Sequence, residues 1–369
     1  MRVCSPQLGL SPKSVLGGEV YDREILLGLA KRNVKIEIIL PIGLDTDKNV
    51  KNWSITKIPI KRIPAPMFNF LVMPYLFLVY KRTKFEIIRL HSPQFIGLGA
   101  LFFKFFVPKV KIIATYHQFR ETKLFGLGKI LNKYWDHIIT DSQHVKAEII
   151  KQFEVNEKKI TSIHNGVPNY LKPQKKDQRL MKKLKLENKV VLLFMGLFIK
   201  RKNPLFLLDI LKLLKREDAV VLFWGKGPLK KEIIHRSQEV GTYNQIRIID
   251  PVYGPEKNKI HNLADIFVHP ALDEGFALAP LESMGCAKPL IMNFAHSATE
   301  VVENKVNGFL CEANNVKDWS HKINILISNP KLRAKMGTAS LQKVKREFRW
   351  SKAIEKHLDI LRKITYEAT

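Results

Sequence analysis

Two carboxylates separated by seven residues, Glu274 and Glu282, stand in the segment DEGFALAPLE (Asp273–Glu282), just after the apolar run IFVHP and the pair Ala271-Leu272. A short apolar run of this kind reads as a buried strand, and the stretch after it as the start of a helix. Glu282 then lies on the helix and Glu274 at its mouth, with Gly275, Phe276, Ala277 and Leu278 between them. Backbone N–H groups at a helix start hold phosphate oxygens, and carboxylates accept hydrogen bonds from hydroxyls. One element of this design grips a sugar, a phosphate and a ribose. The helix dipole alone favours a glutamate near a helix start, which accounts for Glu274 but not for the glycine at the mouth or the second carboxylate.

Other turns carry weaker signals of the same kind. Gly196 follows the apolar run VVLLFM and leads to Lys200-Arg201-Lys202-Asn203. Cationic side chains beside helix-terminal N–H groups suit a diphosphate, and a solvated basic turn has the same composition. Gly225-Lys226-Gly227-Pro228 follows the run VVLFW and is a tight turn able to pass a flat base or a phosphate. Gly17-Gly18 precedes a helix expected from near Glu19, where adjacent glycines allow close backbone approach to an anion. The pattern is not GxGxxG, so no nicotinamide fingerprint is present there. Asp45-Thr46-Asp47 has the form of a divalent-metal DxD but sits in a polar loop with no third ligand in view.

The elements that must position these residues alternate along the chain. Strand-like runs fall at Lys35–Leu40, Phe85–Leu90, Val110–Thr115, His137–Thr140 and Ile160–His164, with helix-like segments such as Glu19–Lys31 and Gln143–Lys151 between them. A polar, lysine-dense stretch over 172–189 reads as a linker running into a short helix. The alternation resumes at Val190–Met195, Ala219–Trp224, Gln245–Ile249, Ile266–His269 and Pro289–Met292. Strands alternating with helices imply parallel sheets covered on both faces. The expectation is an α/β chain of two doubly wound domains facing a central cleft, with ligands at the carboxyl ends of the strands.

Composition narrows the class. The 369 residues are 46% apolar and 26% charged, ordinary globular material that excludes a disordered or collagen-like chain. Three widely spaced cysteines, Cys4, Cys286 and Cys311, support neither a zinc knuckle nor a disulfide framework and fit a reducing cytoplasmic compartment. The net charge of +28 attracts polyanions: nucleic acid, anionic headgroups or phosphorylated ligands. It is spread, +13 over residues 1–170 and +15 beyond, so there is no discrete basic tail. No secretory leader is read at the start. The run Met67–Tyr80 is fourteen residues long, short of the roughly 20 that a span needs. Lys61-Arg62 and Lys81-Arg82 flank it, an arrangement that suits either a segment dipping into an anionic membrane surface or a buried helix.

In order along the chain stand GG, TYHQF, DSQHVK, HNGVP, GLFIKRKNP, GKGP, EGFALAPLESMGCAKPLI and NGFL. This series resembles the family 4 (group 1) glycosyltransferases, retaining enzymes of GT-B fold that use nucleotide sugars. The resemblance covers essentially the whole chain and is densest over Val190–Leu310. It implies that Gly17 and Gly18 form the acceptor-side loop near the donor diphosphate, that His117 faces the donor sugar, and that Lys202 holds the donor phosphates. It implies further that Glu274 contacts the sugar hydroxyls, that Phe276, Ala277 and Leu278 offer backbone amides, and that Glu282 binds the ribose. The family's arginine position after Gly196 is Leu197 here, with Arg201 the nearest basic replacement; Pro168 and Ala277 stand where Asp and Gly are common.

The resemblance implies an acceptor-side domain over 1–170, joined by a closing helix over 351–369, and a donor-binding domain over 171–350. It implies transfer from a nucleotide-sugar donor to a lipid-linked or saccharide acceptor, with no metal and no cofactor beyond the co-substrate, peripherally at the cytoplasmic face of a membrane. Two rivals are a GT-B epimerase or phosphorylase, the latter lacking a pyridoxal lysine segment, and a basic nucleic-acid-binding protein. Nucleic acid is disfavoured because no helix-turn-helix, zinc-finger or RNP signature accompanies the charge.

Overall fold

The computed structural model describes residues 1–14, 16–61, 63–118 and 128–366. The chain divides into two compact units: Met1–Asn165 with Trp350–Thr369, and Gly166–Arg349. The first division falls a few residues before 170 because the segment after Gly166 is bound into the second unit. There the Lys172 N–H donates to Asn258 Oδ1, Asn262 Nδ2 donates to the Lys172 carbonyl, and Lys176 pairs with Asp265.

The first unit runs β1 (Arg2–Pro6), α1 (Gly17–Lys31), β2 (Lys35–Pro41), β3 (Trp53–Ile58), α2 (Phe68–Thr83), β4 (Ile87–Leu90), α3 (Pro93–Phe106), β5 (Lys111–Tyr116), α4 (Gly128–Leu131), β6 (His137–Thr140), α5 (Gln143–Phe153) and β7 (Ile160–Ser162). Its strands form one sheet in the order β3-β2-β1-β4-β5-β6-β7, all pairs parallel. The order reverses between β1 and β4, which opens a crevice at the carboxyl edge. The last helix, Trp350–Tyr366, packs on α1, where Ile354 occupies the space beside Gly28.

The second unit runs α6 (Gln178–Lys183), β8 (Val190–Met195), α7 (Phe206–Leu214), β9 (Ala219–Trp224), α8 (Lys230–Glu239), β10 (Ile246–Ile249), α9 (Glu256–Leu263), β11 (Ile266–His269), α10 (Leu278–Gly285), β12 (Leu290–Asn293), α11 (Ala298–Val301), β13 (Gly308–Cys311), α12 (Val316–Ser328) and α13 (Pro330–Glu347). Its sheet, β10-β9-β8-β11-β12-β13, is also wholly parallel and reverses between β8 and β11. Every residue of AVVLFW in β9 is buried, as expected of a strand covered on both faces. Two apolar clusters, one on each face, centre on Trp224 and Phe267 and on Phe194 and Trp319. Both units are Rossmann-like.

The apolar run expected from Met67 is a three-residue 3-10 turn followed by α2. Phe68, Val72, Leu76 and Val79 are buried, whereas Met67, Phe70 and Leu78 face outward. No helix among the described residues is long and apolar enough to cross a membrane. Arg62, one of the flanking cations, and Phe119 of the TYHQF motif lie outside the described residues.

Candidate functional site

The turns with chemical content gather at the switch point of each sheet. In the second unit, β8 ends at Met195 and Gly196 begins the turn into the 3-10 segment Lys200–Lys202. The turn after β9 packs against it backbone to backbone. A Cβ on Gly225 would sit 1.9 Å from the Gly196 carbonyl oxygen, and one on Gly227 2.5 Å from that of Phe198. The Phe198 N–H donates to the Lys226 carbonyl at 2.8 Å, and the Leu229 N–H to the Phe198 carbonyl at 3.0 Å. The glycines at 225 and 227 are therefore required for two turns to lie flush, which fixes where Lys200–Lys202 emerge.

The strand β11 delivers the other half. The Leu272 N–H donates to the Arg201 carbonyl at 2.9 Å and Arg201 Nη1 to the Asp273 carbonyl at 2.7 Å, stitching the two loops together. At the seam, Lys202 Nζ pairs with Glu274 Oε2, and Arg201 Nη1 lies 3.3 Å from the same oxygen. His269, the last residue of β11, brings Nε2 to 3.7 Å of it. Burial alone raises the Glu274 carboxyl, but Lys202, His269 and Arg201 outweigh it and hold the group far below the ordinary carboxylate range. Burial, opposed by Glu274, keeps His269 below the ordinary imidazole range, hence neutral near pH 7.

Beyond Glu274 the chain turns into α10. Its N-cap, Ala277, is extended and no side chain caps the helix. The first N–H groups of a helix have no partner within it, so the Leu278 end of α10 offers backbone donors that no side chain caps. Phe276 is buried and packs against Phe348. Glu282 follows one turn into α10 and is almost wholly buried. Lys257, from α9, pairs with Glu282 Oε1, and His261 Nε2, from the same helix, is 3.4 Å from Oε2. Here too burial pushes the carboxyl up, and Lys257 and His261 overcome it.

In the first unit, Gly17 and Gly18 form the first turn of α1, two residues earlier than the helix start expected at Glu19. The Glu19 carboxylate accepts from the Ser11 N–H at 2.6 Å and from the Ser14 hydroxyl, tying the preceding loop to the helix. A Cβ on Gly18 would lie 3.3 Å from the His91 ring and 3.7 Å from that of His117. His91 and His117 follow the neighbouring strands β4 and β5. His117 Nε2 is 3.2 Å from His91 Nδ1, and its Nδ1 is 3.1 Å from Asp141 Oδ2. Beneath them Asp22 pairs with Arg89, both fully buried, and lies 3.5 Å from His91. Burial pushes His91 down to about 3, against the pull of Asp22. The Tyr21 ring stands edge-on to His117 at 4.6 Å, and its hydroxyl is 2.7 Å from His357 Nε2 on the last helix. His357 Nδ1 lies 2.7 Å from the Ala353 carbonyl, which only accepts, so Nδ1 carries the proton and Tyr21 donates to Nε2.

Thus Lys202, Arg201, Glu274 and the start of α10 come together, with Gly196 and Gly225 beneath them and Glu282 further along the helix; Gly17, Gly18 and His117 converge separately in the first unit. Asp47 of the DxD segment is held bidentately by Arg23, at 2.5 and 2.7 Å. Lys257, His261, His269, His91 and Asp141 were not singled out in the sequence. His91 had a usable signal, a histidine directly after an apolar strand, the same position that marks His117.

The family described as Glycosyl transferases group 1 matches residues 175–343, and that described as Glycosyltransferase Family 4 matches residues 15–169. The chain belongs to the group 1 glycosyltransferases. An uncharacterized glycosyltransferase of Haemophilus influenzae is 28% identical over 58% of this chain and 59% of its own length. Two further relatives, from Methanocaldococcus jannaschii, are matched over 45% of their length, so the chain spans about half the length of these curated relatives. Broader matches are a capsular polysaccharide biosynthesis glycosyltransferase of Staphylococcus aureus, 24% identical over 87% of both chains, and an Escherichia coli UDP-Gal:alpha-D-GlcNAc-diphosphoundecaprenol alpha-1,3-galactosyltransferase, 25% identical over 77% of both. Among solved structures, sucrose-phosphate synthase from Thermosynechococcus elongatus superposes with a TM-score of 0.84 at 15% identity, covering 100% of both chains. HepE of Anabaena, in complex with UDP, gives 0.81 at 17% identity over 98% of this chain and 100% of that one. The fold of this group 1 chain is GT-B, two Rossmann-like domains.

Proposed function

We propose that this chain transfers a sugar from a nucleoside-diphosphate sugar to a lipid-linked or saccharide acceptor, with retention of anomeric configuration and without a metal ion. The observation that carries the reading is the Lys202–Glu274–Arg201 cluster at the uncapped start of α10, with Glu282 buried beside it. Two cations and open helix N–H groups suit a diphosphate. Carboxylates at the mouth and on the helix suit hydroxyls of sugar and ribose. UDP bound to HepE and the UDP-galactose donor of the Escherichia coli relative support a nucleotide sugar. That relative's diphosphoundecaprenol acceptor and the capsular relative support a lipid-linked or polysaccharide acceptor.

The chemistry follows from those groups. As the bond to the sugar breaks, charge grows on the leaving phosphate, and Lys202 with the α10 N–H groups stabilises it more than in the ground state. Glu274 orients the ring and offsets positive charge at the reacting carbon. The leaving diphosphate takes the proton of the acceptor hydroxyl on the same face, so no protein nucleophile is required and positioning dominates. The pairing of Asp47 with Arg23 supports a metal-free reaction, since that carboxylate is already neutralised. His117, Gly17 and Gly18 form the first unit's own cluster, the residues that the family resemblance places on the acceptor side. An epimerase or phosphorylase of the same fold and a nucleic-acid-binding role are not favoured.

A peripheral position on an anionic membrane accompanies this reading. Besides Met67 just before α2 and Phe70 and Leu78 on it, α3 exposes Phe102, Phe105 and Phe106, the middle one at 80%. Lys61, Lys81, Arg82 and Lys109 are exposed nearby in sequence. Aromatic rings beside cations fit an anionic interface. The test of the function is calorimetric titration with nucleoside diphosphates and their sugars, followed by nuclear magnetic resonance of the new anomeric centre once an acceptor turns over. Absence of binding to every nucleotide sugar contradicts the reading; an inverted product contradicts retention. Sedimentation with anionic vesicles at low salt tests the surface, and failure to bind overturns it.

A further inference from the structure

We infer that Lys257, His261 and Ser283 are positioning residues that hold Glu282 as the ribose acceptor of the donor site. The inference rests on the nucleotide-sugar reading above and extends it to three residues to which that reading gives no role. Glu282 is 4% exposed as a side chain, and one of its oxygens is fully engaged by the Lys257 ammonium. The other, Oε2, is buried and has no hydrogen-bond partner among the described residues. A buried carboxylate oxygen left without a donor is costly, so such an atom marks a place where a ligand hydroxyl completes the structure.

His261 is fully buried and stands over that oxygen. Its Nε2, also without a hydrogen-bond partner, is 3.4 Å from Oε2, too poorly aligned to satisfy it. Its Nδ1 is 3.0 Å from the hydroxyl of Ser283, the residue after Glu282, and its ring packs edge-on against Trp224 at 5.2 Å. The imidazole is thus fixed in orientation by serine and tryptophan, and the carboxylate is confined between imidazole and ammonium. Lys257 and His261 are four residues apart, neighbours on one face of α9, so a single helix sets both sides of Glu282.

The measurement is a comparison of nucleoside diphosphates by calorimetry. Wild-type protein is titrated with UDP, ADP and GDP, and the tightest is compared with its 2′,3′-dideoxy counterpart. Wild type should prefer the ribonucleotide by about tenfold or more, the value of charge-assisted hydroxyl contacts. In His261→Phe the preference should fall below about threefold, with His261→Gln restoring part of it; Ser283→Ala and Lys257→Met should reduce it to intermediate values. Melting temperature reports folding, and the two small changes carry the test if His261→Phe does not fold. A merely structural role lowers melting temperature while leaving the ratio at the wild-type value, and that result overturns the inference. If wild type binds none of the three diphosphates, the donor reading itself falls and this inference with it. If wild type binds but ignores the ribose hydroxyls, the donor reading stands and this inference alone fails.

Discussion

Glu274 and Glu282 are the same residue type on one short segment, yet the fold gives them opposite surroundings. Glu274 stands at the mouth of α10, its side chain 19% exposed, with Lys202, Arg201 and His269 converging on a single oxygen. Glu282 lies within α10, its side chain 4% exposed, with one lysine on one oxygen and an unsatisfied second oxygen. Each carboxylate sits between a lysine and a buried histidine, but only the first belongs to a cluster that also faces open helix N–H groups. The lesson concerns where charge changes during reaction. On the proposed reaction, cations shared between Glu274 and the leaving phosphate respond to the chemistry, and Glu282 in its buried cage grips a part of the donor that stays the same.

The largest effect that can break this comparison is Lys202→Ala. On the proposed reaction it removes a cation whose contact strengthens as the phosphate gains charge, so kcat should fall by about 10²–10³-fold. A loss confined to donor KM would instead make Lys202 a uniform binder like Glu282. Next in size are the conservative changes at the carboxylates themselves. Glu274→Gln should lower kcat while leaving donor KM near wild type, and Glu282→Gln should raise donor KM roughly tenfold with little change in kcat. Steady-state kinetics on folded variants separate the two, and a common effect on both constants would erase the distinction.

A smaller effect comes from the buried histidines. Burial holds His357 and His91 down to about 3, and lowers His261 and His269 as well. In the unfolded chain each titrates near 6.5. As pH falls below that value the unfolded state takes up protons that the folded state refuses, so stability decreases by about 1.4 kcal/mol per pH unit for each of His357 and His91, and His261 and His269 act in the same direction. The carboxylates Glu274 and Glu282, depressed in the fold, add their own loss only below about 4.5. Denaturant melts at pH 7 and pH 5.5 should therefore already differ, and His357→Gln should flatten the slope. An unchanged midpoint across that window contradicts neutral burial. At the small end, Asp45→Ala with Asp47→Ala should leave turnover nearly unchanged, as should a chelator. Activity lost to chelation and restored by manganese would overturn the metal-free reading.

The comparison also marks what the sequence makes legible. β8, β9 and β11 coincide with their apolar runs because strands buried on both faces are written as uninterrupted hydrophobic residues. β1, β3 and β13 have no such run. RVCSP ends in proline, WSITKI is a largely exposed edge strand, and GFLC is four residues with a glycine whose Cβ would meet the Leu290 carbonyl at 2.1 Å. Glu274 and Lys202 are readable because they stand in the connections after strands, and Glu282 because it follows Glu274 at the start of the next helix. Lys257 and His261 are not, since EKNKIHNL is a polar helix in a lysine-rich chain, and only the packing of α9 beside α10 gives those two residues a partner. His269 is hidden for a different reason: as the end of an apolar strand it reads as core.

The most direct test of the central claim needs no acceptor. Wild type, Glu274→Gln and Glu282→Gln are titrated calorimetrically with a nucleoside diphosphate and with the corresponding nucleotide sugar. Glu282→Gln should weaken both ligands by the same factor, because the ribose is common to them. Glu274→Gln should leave the diphosphate unchanged, or slightly tighter since Lys202 is freed, and should weaken only the increment that the sugar adds. Equal weakening of both ligands by both variants would contradict a division of labour between the two carboxylates.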